Sequence, residues 1–199
     1  MKPAVFSLAL IAMASVAHAD ECHDRFSKLL INGNPDIGPT RLHITQEIGG
    51  GSTSLNYHHS DGNGNGMTEM IDPADSPWSL FLGDNMYVSN DKGQSWTFQS
   101  SFDAEKGRAD SKAALTKDLV AASDLVCGTE ALNGSDYDVV SGRYLSSALA
   151  GAEIYEKLWI DPETGNIVQS YRHLKMTGFE SKTTQVVELS PGLELPQPD

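Results

Sequence analysis

The chain has 199 residues, with 27 acidic side chains against 14 basic ones and a formal charge of −13 at pH 7. This balance excludes nucleic acid as a partner, because phosphate binding needs clustered Lys and Arg. It also gives no attraction to an anionic membrane surface, and the length suits one domain with a single core.

At the N-terminus, Lys2 precedes an apolar run over residues 4–14 and the small-residue pattern Ala17-His18-Ala19. These are the parts of an export signal, cleaved before Asp20. The run is shorter than the roughly 20 apolar residues a membrane span requires. Glu21, directly before Cys22, does not fit a lipid-attachment site, where a small residue is needed. The expected mature protein is soluble and periplasmic, with signal 1–19, one domain over 20–190 and a flexible Pro-rich tail over 191–199.

Cys22 and Cys127 are the only cysteines. In an oxidising compartment such a pair reads as a disulfide, and no C-x-x-C suggests redox work.

A short helix is expected over 24–30, where Phe26, Leu29 and Leu30 share one face and Gly33 supplies the stop. Residues 35–39 form a rigid connector. Over 41–48 the pattern alternates, Leu42, Ile44, Gln46 and Ile48 against Arg41, His43, Thr45 and Glu47, as in a half-buried strand. Further strands are expected at 53–59, 67–71, 78–82, 86–90 and 95–99, punctuated by Gly- and Asp-rich turns. A polar bend over 103–110 leads to a helix over 111–122, capped by Ser111, with Ala114, Leu115, Leu119 and Ala122 as its stripe.

Strands at 125–132 and 137–147 then lead to a hairpin over 154–176. Its turn, Asp161-Pro162-Glu163-Thr164-Gly165-Asn166, has a proline to preset φ and a glycine for the left-handed position. A last strand occupies 183–189. The sum is an α+β domain, a long antiparallel sheet with two helices. Leu158 and Ile160 on one side and Tyr155 and Trp159 on the other make both faces partly apolar, which suits a curved sheet covered by helices or holding an apolar ligand.

No nucleophile elbow, H-E-x-x-H, P-loop or dinucleotide fingerprint is present, so no enzyme is expected. His58 and His59 are strand neighbours that point to opposite faces and make a poor metal pair. Asp61-x-Asn63-x-Asn65-Gly66 with Asp72 partly matches a calcium loop, but lacks the closing Glu and reads better as a hairpin turn. No metal or cofactor is expected.

The order of elements, the segment Leu82-Gly83-Asp84-Asn85-Met86-Tyr87-Val88 with Gly93-Gln94-Ser95-Trp96, and the turn Trp159-Ile160-Asp161-Pro162-Glu163-Thr164-Gly165 resemble the LolA-like superfamily of periplasmic lipoprotein carriers and lipid-binding proteins. The resemblance implies an incomplete β-barrel wrapped around helices, with an apolar cavity for acyl chains and the helices as a movable lid. It implies that Trp78, Phe81, Trp96, Phe98, Leu115, Leu119 and Trp159 line or cover that cavity. The same side chains can equally fill an ordinary core. Two functions follow: a carrier for a hydrophobic, acyl-chain or lipid ligand without chemical turnover, or an envelope module whose partner is another protein.

Overall fold

The computed structural model describes residues 13–198, with side chains from Asp20 onward. The expected export signal therefore falls mainly outside the described residues, and its last part is helical backbone. Helix α1 (Met13–Asn32) precedes β1 (Thr40–Ile48), β2 (Ser52–Ser60), β3 (Gly66–Asp72), β4 (Trp78–Leu82), β5 (Asn85–Ser89) and β6 (Thr97–Ser101). Helix α2 (Ala104–Leu119) follows, then β7 (Ser123–Leu132), β8 (Ser135–Ser146), a 3-10 turn (Ser147–Leu149), β9 (Ala152–Ile160), β10 (Ile167–Met176) and β11 (Phe179–Leu189).

All 11 strands form one antiparallel sheet in the order β6-β5-β4-β3-β2-β1-β11-β10-β9-β8-β7. Two meanders thus run in opposite directions from the central pair β1 and β11, joined in register from Thr40↔Leu189 to Ile48↔Ser181. Helix α2 carries the chain from one sheet edge, β6, to the other, β7. The sheet is open, and the fold is α+β.

The strand boundaries fall within two residues of the sequence expectation, except that β11 begins at Phe179, four residues before the expected 183. The 161–166 turn closes as expected, Gly165 N–H donating to Asp161 O over 2.8 Å with φ 72° at Gly165. Both helices are longer than expected, although α2 ends at Leu119, three residues short of the expected end, and leaves Ala122 of the expected stripe outside it. Helix α1 extends beyond 24–30 in both directions. Helix α2 begins within the stretch expected to be a polar bend, and Asp103, not Ser111, caps it by accepting from the Lys106 N–H over 2.8 Å. Glu105 in its first turn suits the helix dipole, and Lys106 pairs with Asp110 one turn on.

The helices pack on β7 and β8. Phe26, fully buried at 0% exposure, meets Leu119, Val140, Tyr144, Ile154, Leu158 and Ile160 in the core. Gly142 lies beneath Phe26, and a Cβ there would stand 2.7 Å from Leu125 Cδ2 and 3.1 Å from the Phe26 ring. We expect Gly142→Ala to destabilise by about 1–3 kcal/mol through overpacking, read as a lower denaturation midpoint at unchanged slope. Cys22 and Cys127 form a disulfide that ties α1 to the edge strand β7, and Arg25 adds an ion pair to Asp138 at 2.6 Å. No described helix is long and apolar enough to cross a membrane.

Candidate functional site

Side chains opposite one another in paired strands share a face, so the register divides the sheet into an inner side, which bears the helices, and an outer side. Val140, Gly142 and Tyr144 fix the inner side on β8. Their partners continue it through Leu158, Glu156 and Ile154 on β9 and then Ser170, Arg172 and Leu174 on β10. Beyond β10 the inner side carries on across β11 and β1 to β5, where among the described residues neither helix packs along the strands; α2 comes near at Arg108, beside Gly64 in the β2–β3 turn. On these strands Leu42, Ile44, Met70, Met86, Val88 and Val187 are only half-buried.

Two grooves mark the border of this uncovered region. One, of about 650 Å³, lies between the helices and is lined by Ile31, Phe102, Gly107, Arg108 and Leu115. The other, of about 380 Å³, lies under the 34–38 connector against Leu42, His58 and Val187. His58 Nδ1 stands 3.1 Å from Thr68 Oγ1. Burial lowers the His58 pKa, helped by neighbouring His59, so the groove keeps a neutral imidazole. His59 points outward to Glu69 at 3.1 Å, as strand alternation requires.

The seven residues singled out as cavity-lining divide between the two sides. Leu119 belongs to the core under the helices, Leu115 to the interhelical groove, and Phe81 faces inward against Phe102, ring centroids 6.0 Å apart. Trp78, Trp96 and Phe98 gather on the outer side near buried Leu80. The two indoles close over Gly93, and Phe98 meets Tyr87 edge-on at 5.9 Å. Trp159 is also outward, beneath the Lys157 ammonium at 4.7 Å. The Asp61 carboxylate accepts from the Asn63 and Asn65 N–H groups at 2.7 and 3.1 Å and from Asn65 Nδ2 at 2.7 Å, which makes it the organiser of its own turn.

The sequence reading passed over one inward pair. Glu156, 2% exposed, lies between Ile154 and Leu158 and is ion-paired to Nε of Arg172 on the neighbouring strand. Burial raises the Glu156 carboxyl pKa against the opposing pull of the guanidinium. Burial, with the Glu156 charge, also pushes the nearby Tyr144 hydroxyl up to about 12. The available signal was an acid at an inward position flanked two residues away on each side by apolar residues.

The open sheet with helices on one side is an α+β architecture. No protein-family model matches the chain, and no curated protein matches it by sequence. Among solved structures, the chain is similar to a LolA superfamily protein from Nitrosomonas europaea, at 11% identity over 89% of this chain and 94% of that one, with a TM-score of 0.35. It is similar to a hypothetical lipoprotein from Escherichia coli at 12% identity over 92% and 100%, with a TM-score of 0.34. It is also similar to MucB of Pseudomonas aeruginosa, in complex there with MucA, at 15% identity and a TM-score of 0.47. That match covers 86% of this chain and 59% of the other.

Proposed function

We propose that the mature chain is a periplasmic carrier that holds the acyl part of a hydrophobic or lipid ligand without chemical change. The observation that carries this reading is the inner side of β11 and β1 to β5: it lacks the helix layer that covers β7 and β8, and it holds half-buried Leu42, Ile44, Met70, Met86, Val88 and Val187 among polar neighbours such as Asn56 and Gln185. A globular chain of this size ordinarily buries such a face, and an apolar ligand laid against it gains about 25 cal/mol per Å² removed from water. The disulfide holds α1 to the sheet edge, so α2, mostly exposed and anchored at its two ends, is the element free to act as a lid.

A second reading, an envelope module that binds another protein, is favoured by the core under the helices, where Phe26, Leu119, Val140, Tyr144, Ile154 and Leu158 pack against one another. The two differ in what the uncovered face binds. Ile44→Asp, inward on β1, is expected to weaken binding of a fluorescent fatty-acid probe at least about tenfold, and Thr45→Asp, one residue on and outward, is expected to leave it unchanged. Equal effects of the two substitutions, or no binding of the probe by the unaltered protein, would remove the carrier reading.

A further inference from the structure

One row of cross-strand partners on the inner side is polar from end to end. Glu156 on β9 faces Arg172 on β10, Arg172 faces Thr183 on β11, Thr183 faces Gln46 on β1, and Gln46 faces Ser54 on β2. The row begins under the helix-covered core and runs into the uncovered region. Its two charged members are unequally placed. The Glu156 side chain is 3% exposed, whereas that of Arg172 is 50% exposed. The Arg172 Nε–H donates to Glu156, and among the described residues the guanidinium forms no other hydrogen bond, which leaves its terminal N–H donors without a protein partner.

The sign of the face is as informative as its polarity. The chain carries 27 acids, yet the inward positions of β1 to β5, β10 and β11 contain no carboxylate. Arg172 is the one arginine or lysine there, since Arg41, Lys157, Lys175 and Lys182 all fall at outward positions of the register. A pair serving stability alone gains most when both partners are enclosed and fully hydrogen-bonded. Here one partner is enclosed and orients the other, whose planar fork stays open beside a hydroxyl and an amide.

We propose that Arg172 anchors the head of an anionic single-chain amphiphile, a carboxylate or a phosphate monoester, with Thr183 and Gln46 as neutral hydrogen-bonding neighbours. The tail runs over Ile44 towards Leu42 and Val187 and ends in the groove lined by Ile37 and His58. Thr183 and Val187 are four residues apart on β11, about 13 Å at 3.3 Å per residue, and over that length Ile44 and Leu42 of β1 supply a narrow apolar track between Gln185 and Asn56. The proposal rests on the carrier reading and names its ligand class.

The test compares oleate, oleyl phosphate and methyl oleate as competitors of a fluorescent fatty-acid probe. It uses the mature protein and the Glu156→Gln/Arg172→Gln double variant, which removes both charges together and leaves neither buried alone. The unaltered protein is expected to bind the two anionic ligands about tenfold more tightly than the ester, and the double variant to lose that preference while keeping its affinity for the ester. Acetate and inorganic phosphate, which have a head but no chain, are expected not to compete; competition by them would make the site a small-anion site and overturn the amphiphile. Equal affinity for acid and ester in the unaltered protein would overturn the anchor and leave the carrier. Failure of all three long-chain ligands would overturn both.

Discussion

Removing the Cys22–Cys127 disulfide, by serine at both positions or by reduction, is expected to destabilise the protein by about 4–5 kcal/mol in the chain-entropy view. The bond closes a loop of 105 residues, so its loss frees the unfolded chain over more than half the sequence. At this chain length the effect corresponds to a fall in melting temperature of roughly 10–20 °C. The loss is not confined to the unfolded state, because the bond also positions α1 over β7 and keeps Phe26 above Gly142. Thermal melts with and without reductant check this. A melting temperature that does not move on reduction would show that α1 is held by its apolar face alone.

Arg172→Ala is expected to cost about 3–5 kcal/mol near neutral pH, because it leaves the Glu156 carboxylate buried without its partner. The size of the loss should depend on pH in a defined direction. The Glu156 pKa is raised above the ordinary 4.5 in the folded protein, and removing the guanidinium raises it further. Below the ordinary value the group is protonated in both states and the penalty is absent. As pH climbs from there through the raised folded value, the penalty grows to its full size. Denaturant titrations of Arg172→Ala at pH 5 and pH 8 should therefore show the larger loss at pH 8. The Glu156→Gln/Arg172→Gln variant should lose much less and show little of this pH dependence. A loss that is equal at both pH values would place the effect in packing and not in the stranded charge.

What the sequence made legible was whatever local chemistry determines. Asp161, Pro162 and Gly165 dictate the hairpin turn, and the alternation from Arg41 to Ile48 dictates β1. Adjacent His58 and His59 had to diverge, and they do. The first turns of α2 were hidden because residues 104–110, Ala-Glu-Lys-Gly-Arg-Ala-Asp, have no apolar period and contain Gly107. That segment is helical through the Asp103 cap and a Lys106–Asp110 pair, devices that read as loop polarity when no stripe accompanies them. The N-terminal part of α1 fell within the stretch read as an export signal.

The site was less legible, for a topological reason. Aromatic residues attract notice singly, but their side of the sheet depends on parity and on which strands pair. Trp78 and Leu80 share the outer side, and Ser79 and Phe81 the inner one, so two neighbouring aromatics in a five-residue strand end on opposite sides. The Glu156–Arg172 row was invisible for the same reason. Five residues from five strands, spread from position 46 to position 183, become a row only when β11 returns to pair with β1. No local pattern encodes that return.

On the proposed carrier reading, the uncovered inner side of β11 and β1 to β5 holds an apolar ligand. Native mass spectrometry of the mature protein, taken from periplasm without detergent and followed by organic extraction, tests it most directly. A discrete added mass that extracts into solvent as an amphiphile with an anionic head is expected. A bare protein mass, together with no uptake of a fluorescent fatty-acid probe, would contradict it and turn attention to a protein partner for the same face.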